Sequence, residues 1–291
     1  MTSFATEGPI SAYLKVDMGS LRVSVDDAGA TSVEVVPADP ANEKDRRAAE
    51  ATEVSFDDGR LRVVGPTIGP IIFGRRYGAI DVSVRLAAGS QVEAQTSAGC
   101  ITVEGELGDC RLKTSAGDIV LQDAADADLR TGVGSIDARR IGGDAYCSTG
   151  SGSVRIDRID GRAEVKNANG DTQIGESGGP LRVKSANGAI TVERAHGDVH
   201  ATSANGSLRV GSVEQGTVEL STSIGRVQVG VAPGTAALLD LGTSFGAVRS
   251  ELESVSQPGP HERRVEVRAR TSAGDVEVLR AVVADDGEDG S

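Results

Sequence analysis

Residues 182–210 read RVKSANGAITVERAHGDVHATSANGSLRV, and this stretch gives nearly the same phrase twice, first KSANGAITVER and then TSANGSLRV. A glycine marks each phrase at the point where one alternating run of apolar and polar residues gives way to the next. The phrase recurs along the chain, and its marker glycines are Gly99, Gly117, Gly134, Gly152, Gly170, Gly188, Gly206 and Gly225. They are spaced by 18, 17, 18, 18, 18, 18 and 19 residues. A period this constant is typical of a repeat architecture.

Apolar residues alternate with polar ones on both sides of each marker glycine. Five residues before it stand Ala94, Leu112, Cys147, Val165, Val183 and Ala201, and four residues after it stand Val103, Leu121, Ile156, Ile174, Val192 and Val210. Successive side chains of a strand point to opposite faces of a sheet. Each copy is therefore predicted to carry two short strands with one buried face.

Two architectures fit a strand, an Asn-Gly step and a second strand. Asn-Gly between alternating runs is a strong hairpin signal, which would give an antiparallel meander. Asn169, Asn187 and Asn205 fall at identical steps of successive copies, however, and their amides would form a ladder if the copies stacked in parallel. This repetition favours an all-β fold, a single-stranded parallel β-solenoid (β-helix) with 18-residue coils. The apolar spacing does not match the six-residue repeat of the left-handed hexapeptide β-helix.

The regular phrase divides the chain into four predicted parts. Residues 1–88 contain alternating runs but no glycine at the 18-residue phase, and they form a strand-rich N-terminal cap continuous with the solenoid, with a short helix at NEKDRRAAEA. Residues 89–230 form the regular coils. Residues 231–283 form irregular coils around looser copies at Gly246 and Gly274, with a proline-bearing loop, and residues 284–291 form a disordered acidic tail.

Composition excludes several classes of function. The 291 residues carry a formal net charge of −13, which argues against nucleic-acid binding because phosphate contacts need a basic surface. Only 2% of the residues are aromatic and none is Trp, so the core is predicted to be thin and aliphatic. No segment reads as a signal peptide or a membrane span. Three cysteines are too few for a disulfide framework, and an odd number would leave one unpaired. This usage fits a reducing compartment, so we expect a cytoplasmic protein.

At this point the chain resembles a known family. Its N-terminal strand-rich runs, the phrase IDVSVRLAAGSQVEAQTSAG and the tandem Thr/Ser-x-x-Gly-x-Ile-x-Val units are similar to the bacterial putative-adhesin family, domain of unknown function 4097. The resemblance covers about residues 15–280. It implies a β-strand-repeat solenoid that is often exported in other members. Its motifs are periodic rather than chemical, so it implies no activity.

The residues that most often carry chemistry have structural interpretations here. His196 and His200 lie in AHGDVH without a third ligand at zinc spacing, and we expect two solvated histidines. Cys110 and Cys147 fall in inward columns and are expected to be small core residues, whereas Cys100 follows a turn glycine and is expected to be exposed. The sequence contains no phosphate loop or nucleophile elbow in its required context. We therefore predict no catalytic residue, no metal site and no cofactor.

One outward column is a candidate stripe for a partner. Four residues before the marker glycine stand Lys113, Arg130, Lys166 and Lys184, with only uncharged residues in the other copies. Stacked coils would align them into a basic line for an acidic partner. Glu93, Asp128, Glu164 and Glu219 stand two residues earlier and would neutralise much of it. Charge balance between neighbouring strands alone would also explain the pattern.

Three classes of function remain at this stage. The first is a non-catalytic scaffold or binding module, adhesin-like in fold, that contacts an unidentified protein partner inside the cell. The second is a rod that associates with itself end to end. The third is a polysaccharide-acting β-helix enzyme, which is the least favoured because the repeats offer almost no aromatic platform for sugar rings.

Overall fold

The computed structural model of the chain describes residues 1–25, 30–66, 78–252 and 263–281. The first part of the chain contributes β1 (Thr2–Ala5), β2 (Ser11–Met18), β3 (Leu21–Val25), β4 (Ala30–Pro37), α1 (Glu43–Glu50), β5 (Glu53–Asp57), β6 (Arg60–Val64) and β7 (Ile80–Leu86). The helix is the one predicted at NEKDRRAAEA. Its N-cap is Asn42, whose side chain accepts a hydrogen bond from the backbone N–H of Lys44.

The regular region repeats a unit of two strands joined at a marker glycine. Its strand pairs are β8 (Gln91–Ala98) and β9 (Ile101–Leu107), β10 (Cys110–Ala116) and β11 (Ile119–Ala124), β12 (Ala127–Val133) and β13 (Ile136–Ile141), β14 (Ala145–Ser151) and β15 (Val154–Ile159), β16 (Ala163–Asn169) and β17 (Thr172–Ser177), β18 (Leu181–Asn187) and β19 (Ile190–Ala195), β20 (Val199–Asn205) and β21 (Leu208–Val213), and β22 (Gly216–Ile224) and β23 (Val227–Val231). The last strands are β24 (Thr235–Phe245), β25 (Val248–Ser250), β26 (Arg263–Ala273) and β27 (Val276–Arg280).

The two strands of each unit enter two different sheets. The described residues form a 13-stranded sheet in the order β5-β6-β2-β8-β10-β12-β14-β16-β18-β20-β22-β26-β24 and a 14-stranded sheet in the order β1-β4-β7-β3-β9-β11-β13-β15-β17-β19-β21-β23-β27-β25. In the regular region every strand pairs in parallel with its equivalents one coil before and one coil after. The prediction of a parallel solenoid is therefore confirmed, and the meander is excluded for these coils.

The core lies between the two sheets and is as thin and aliphatic as the composition predicts. The inward side chains of Leu112, Leu129, Val165 and Val183 are 0% exposed. They pack against inward residues of the other sheet such as Ile156. Since each coil adds the same few aliphatic side chains, burial is repeated along the rod instead of being concentrated at one centre.

The corner between the two strands needs glycine for two reasons. The φ angles of the eight marker glycines lie between +133° and +159°, a region that residues with a Cβ rarely adopt. In addition, a Cβ on Gly188 would lie 2.1 Å from the carbonyl oxygen of Gly170 in the preceding coil. The corner therefore rejects a side chain both through its backbone conformation and through the closeness of the adjoining coil.

Inside each corner lies a buried polar side chain, three residues before the marker glycine. The Thr114, Thr131 and Thr149 hydroxyls donate to the glycine carbonyl of the preceding coil at 3.1, 2.9 and 2.9 Å. Thr222 and Thr271 do the same at 3.0 Å. These bonds satisfy carbonyls that the corner would otherwise leave buried and unpaired. A polar residue recurs at this step of the repeats, but its carbonyl partner in the preceding coil is visible only in the structure.

One rung of the interior ladder is irregular. Asn167 replaces the usual Thr or Ser, and its Nδ2 donates both to the Gly152 carbonyl at 3.1 Å and to the Gly170 carbonyl at 2.8 Å. The Ser185 hydroxyl, which would normally donate to Gly170, has no hydrogen-bond partner, and the Asn167 Oδ1 has none either. Both atoms are buried, so this rung is less well satisfied than its neighbours.

The first coil does not follow sequence order. β2 and β3 each pair in parallel through one edge with β8 and β9. Through their other edges, β2 pairs with β6 and β3 pairs with β7. Gly19 joins β2 to β3 with φ +121°, and a Cβ on Gly99 would lie 1.9 Å from its carbonyl oxygen. Gly19 is thus a corner glycine, although the sequence pattern placed none within residues 1–88.

The last coils are also out of order. β26 and β27 pair with β22 and β23, and β24 and β25 pair with the far edges of β26 and β27. The final coil of the sequence is therefore the penultimate coil of the rod. The predicted acidic tail at 284–291, and residues 253–262 of the predicted proline-bearing loop, lie outside the described residues.

Candidate binding face of the solenoid

The predicted basic stripe lies on the outer face of the 13-stranded sheet and is longer than the repeats indicated. The register places Lys15 beside Gln95 at one end and Arg270 beside Ser221 at the other. The full line, which we call the basic column, runs through Lys15, Gln95, Lys113, Arg130, Ser148, Lys166, Lys184, Thr202, Ser221 and Arg270. It contains six basic side chains and no acidic one.

A second column runs parallel to the first, two residues earlier in each strand. It alternates in charge and contains Tyr13, Glu93, Arg111, Asp128, Tyr146, Glu164, Arg182, His200, Glu219 and Arg268, and we call it the alternating column. Opposite charges on neighbouring strands stabilise a sheet modestly. The predicted acidic neighbours Glu93, Asp128, Glu164 and Glu219 all belong to this column.

The alternating column neutralises part of the basic column. Arg130 pairs with Asp128 through its Nε at 2.7 Å, and Lys166 pairs with Glu164 at 2.9 Å. The hydrogen bond from Lys166 is the main cause that lowers the pKa of Glu164. Among the residues that the structure describes, neither Lys113 nor Lys184 has an ion pair within 4.0 Å, and both are exposed. These two lysines are therefore the free cations of the predicted stripe.

Tyr146 is the one aromatic residue of the regular coils, and cations flank it from both sides. The guanidinium carbon of Arg130, one coil earlier, lies 4.6 Å from the ring centroid, and the Nζ of Lys166, one coil later, lies 5.0 Å from it. Cation–π contacts of this kind stabilise the arrangement. Because a cation of each adjacent coil contacts the ring, Tyr146 positions Arg130 and Lys166 along the basic column.

Small residues border the basic column on the side of the corner. Two residues before the marker glycine stand Ser97, Ser115, Gly132, Gly150, Ala168, Ala186, Ala204, Ser223 and Ser272. This small-residue strip is flat, and with the exception of Gly150, which is partly buried, its members are exposed. It leaves the lysine ammonium groups accessible from one side along the length of the rod.

On the other side of the alternating column lies an open groove of about 550 Å³. Its acidic edge is formed by Asp109, Asp126 and Asp144 in successive coils. The Asp126 and Asp144 carboxylates already accept backbone N–H groups of the next coil, at 2.6 and 2.9 Å. They therefore serve as structural bridges between coils. In the part of the chain that the structure describes, no group of three His, Cys, Asp or Glu side chains could hold a metal ion.

The two histidines contact different carboxylates. The Nε2 of His196 lies 3.1 Å from Oε1 of Glu176, and its Nδ1 lies 3.6 Å from Oε1 of Glu214. The Nδ1 of His200 lies 3.0 Å from Oε2 of Glu219, on the outer face of the other sheet. Each histidine thus has carboxylate neighbours of its own, and the structure does not bring the two together as a pair.

The three cysteines differ in exposure as the sequence pattern predicts. Cys147 is 0% exposed and Cys110 is 3% exposed, and burial raises the pKa of each thiol to about 12. Both thiols therefore remain protonated and unreactive at neutral pH. Cys100 is exposed and follows the corner at Gly99.

The predicted asparagine ladder lies along the outer edge of the corner. The Nδ2 of Asn187 donates to Oδ1 of Asn169 at 2.9 Å, and the Nδ2 of Asn205 donates to Oδ1 of Asn187 at 3.0 Å. The ladder ends where Ile224 takes the position next to Asn205. These amides bridge coils on the surface and are part of the scaffold.

Three solved structures are similar to the whole chain. A putative adhesin from Parabacteroides merdae is 12% identical with a TM-score of 0.39, and a putative adhesin from Bacteroides fragilis is 9% identical with a TM-score of 0.34. In both comparisons 96% of this chain and 95% of the other are covered. A putative lipid binding protein from Parabacteroides distasonis is 10% identical with a TM-score of 0.34 and coverage of 96% of each chain.

No curated protein matches the sequence. Within the described residues, no helix has the length and apolar character needed to cross a membrane. The family model of Toastrack DUF4097 matches residues 13–279, which is most of the chain and includes the regular coils, both out-of-order end coils and the whole basic column. The chain belongs to the Toastrack DUF4097 family.

Proposed function

We propose that this protein is a non-catalytic β-solenoid scaffold that binds an extended acidic segment of a protein partner along the basic column. The basic column itself carries the proposal, because it gathers six cations and no carboxylate on a chain of net charge −13. A local concentration of one sign against an opposite overall charge attracts a complementary partner to that line.

The spacing of the column fits a chain better than a compact ligand. Parallel strands lie about 4.8 Å apart, so the basic side chains and the uncharged ones between them lie at regular intervals along one line. The small-residue strip beside them allows an extended segment to approach without a steric barrier. Lys113 and Lys184 are the anchors, since Arg130 and Lys166 are partly occupied by Asp128 and Glu164.

The character of the cysteines supports a binding role in the cytoplasm. The two buried thiols are inert at neutral pH, and all three cysteines are free. Free thiols fit a reducing compartment better than an oxidising one. A polysaccharide-acting enzyme is the weaker alternative, because Arg130 and Lys166 already flank the aromatic ring of Tyr146.

The proposal is tested by binding of a poly-glutamate peptide to the full chain, measured by titration at several salt concentrations. We expect affinity to fall as salt rises, because exposed charges are screened. The double variant Lys113→Gln, Lys184→Gln should weaken binding by about tenfold and flatten the salt dependence.

The matched control is Arg155→Gln on the outer face of the 14-stranded sheet. Arg155 is exposed and hydrogen-bonds Gln173 of the next coil. Its substitution therefore removes one cation from a face that does not carry the basic column. Binding should be unchanged in this variant. Equal weakening by both variants would show only a general charge effect, and no binding of the peptide by the wild type would overturn the proposal.

A further inference from the structure

The two ends of the rod are finished in different ways. At the N-terminal end, β5 pairs antiparallel with β6, β4 pairs antiparallel with β7, and β1 pairs antiparallel with β4. The rings of Phe4 and Phe56 stack at 5.1 Å. The carboxylate of Asp45 in α1, which is 5% exposed, accepts the backbone N–H groups of Asp39 and Ala79 at 3.0 and 3.1 Å. This end is therefore covered by a built cap.

The C-terminal end stops at a parallel coil. β24 is the last strand of the 13-stranded sheet and β25 is the last strand of the 14-stranded sheet. Over its 11 residues β24 pairs with β26 on one side, and within the described residues no strand pairs with its other edge. A long unpaired edge is a template for another strand.

In the part of the chain that the structure describes, the apolar interior is also uncovered at this end. In β26 the inward residues Val265, Val267 and Ala269 are 0–2% exposed. Their counterparts in β24, Ala237, Leu239 and Leu241, pack on the core but are only partly buried. Within the described residues, the last layer of the core thus lacks the covering that every coil beneath it has.

Large apolar side chains surround the open edge. Leu238 is 68% exposed, Phe245 is 80% exposed and Val248 is 46% exposed. Phe245 lies in register with Ala273 and, one strand further, with Ile224, which is 59% exposed. The asparagine ladder of the outer corner is therefore replaced by an apolar patch at this end of the rod.

We propose that the C-terminal end binds a second copy of this chain, with β24 of one copy pairing antiparallel with β24 of the other around a two-fold axis. Such a pair is self-complementary. When the two-fold axis passes beside an inward residue, the inward residues of one β24 lie opposite inward residues of the other, so the two apolar faces are continuous. The two cores then join across the axis, and the partly buried Ala237, Leu239 and Leu241 are covered by their counterparts in the other copy.

The charges of β24 restrict the register. Asp240 is the one charged residue of the strand, and it pairs with Arg270 at 2.8 Å. Centring on Asp240 would oppose two carboxylates directly, which is unfavourable. Centring on Leu239 or on Leu241 places Asp240 opposite Leu238 or Gly242 and avoids this repulsion.

The N-terminal end does not fit the same edge. Its outermost strands β1 and β5 have only 4 and 5 residues, and β5 exposes Glu53 and Asp57. Short strands and charged side chains are the devices that prevent edge pairing. The copies therefore meet C-terminal end to C-terminal end, and the assembly closes as a dimer instead of growing into a filament.

Analytical ultracentrifugation of the full chain over a range of micromolar concentrations tests the proposal. We expect a monomer–dimer equilibrium in the wild type. The double variant Leu238→Glu, Phe245→Glu changes only exposed side chains and adds like charges across the axis, so it should raise the dissociation constant by at least about tenfold. Neither residue belongs to the basic column, so this test is independent of peptide binding.

Val133→Glu is the matched control, since Val133 lies at the same step of its coil as Phe245 and is 61% exposed in the middle of the rod. It should leave the dimer unchanged. A monomeric wild type would mean that the chain itself or another protein covers this end, and it would overturn the proposal. Dimers that persist in the double variant, or polymers of growing mass, would overturn it as well.

Discussion

The regular coils and the end coils of this rod share one corner geometry but differ in how the chain reaches it. From β8 to β23, neighbours in space are neighbours in sequence, one coil apart. At the ends the partner comes from far along the chain: Ile10 bonds Ser90, a separation of 80 residues, and Arg268 contacts Glu219, a separation of 49 residues. The middle of the rod forms through pairing between consecutive coils of the sequence. The ends form through pairing between segments that are distant in sequence, which costs more chain entropy.

The largest effect is expected from a side chain at a corner in the middle of the rod. Gly188→Val forces a β-branched residue to φ +136° and places its Cβ against the Gly170 carbonyl. We expect the free energy of unfolding to fall by about 3 kcal/mol or more, measured by urea denaturation. Glu193→Gln, on the outward face of the same coil, should change it by less than about 0.5 kcal/mol.

The same substitution at the open end measures the contrast between the regions. Gly246 also approaches a carbonyl, that of Gly274 at 2.0 Å from an added Cβ, but its φ is not in the strained range. Its coil has a neighbour on one side only among the described residues, so it can shift away. Gly246→Val should therefore cost clearly less than Gly188→Val, and equal costs would contradict the view that central coils are held from both sides.

A stabilising change is expected at the irregular rung of the interior ladder. In the double variant Asn167→Thr, Thr172→Val, the new hydroxyl can donate to the Gly152 carbonyl as in other coils, and the Gly170 carbonyl is left for Ser185. Val at 172 matches the apolar residues at this step of the other coils. We expect the free energy of unfolding to rise by about 1–2 kcal/mol.

Thr149→Val tests the same ladder in the opposite direction. It removes a regular donor and leaves the Gly134 carbonyl unpaired, so it should destabilise by about 1–2 kcal/mol. If the double variant proved less stable than the wild type, Asn167 would stabilise its coil better than Thr does. The regular coils would then differ in which side chain they require at this step.

The smallest effect is expected on the stability of the protein at acidic pH. The comparison is between a cluster of ion pairs in the middle of the rod and a single ion pair at its end. Glu176 contacts Arg158, Arg194 and His196 within 3.1 Å, and its pKa lies below the ordinary 4.5, chiefly because Arg194 hydrogen-bonds the carboxylate. The ionised form is thus favoured by folding. Its contribution is complete above pH 4.5 and disappears as the pH falls through the lowered pKa.

Glu176→Gln should therefore lower stability at pH 7 but have little effect well below pH 4, as measured by thermal unfolding across this range. Glu277→Gln is the control, because Glu277 has the same 16% side-chain exposure and one ion-pair partner, Arg249 at 3.4 Å. At pH 7 the control should lower stability less than Glu176→Gln does, because it removes a single ion pair. An equal loss of stability in both variants would mean that the extra partners of Glu176 add nothing.

Sequence reasoning succeeded where the fold is local. The glycine period predicted the coil length, the inward columns and the parallel register, because each regular coil packs against a coil of similar sequence. It missed Gly19, since nothing near that residue repeats at 18-residue spacing. Thr114 and its equivalents recur at the same step of each repeat, but the hydrogen bonds of the interior ladder could not be predicted, because their carbonyl partners lie in another coil.

The binding face shows the same limit. Lys113, Arg130, Lys166 and Lys184 could be aligned from the repeats, whereas Lys15 and Arg270 join the column only through the out-of-order stacking of β2 and β26. Which of these cations is free follows from the residue two positions earlier in the same strand. Arg130 and Lys166 are paired with Asp128 and Glu164 at that position, whereas Lys113 and Lys184 follow Arg111 and Arg182.

The position of β26 and β27 between β22/β23 and β24/β25 has a consequence for synthesis on the ribosome. The chain emerges from its N-terminus, so β24 and β25 are complete before the coil that must lie beneath them. If they docked at once, they would occupy the edges of β22 and β23 and would have to leave again. The middle of the rod can therefore fold coil by coil as it is translated, whereas β24 to β27 can reach their final order only after β27 has emerged.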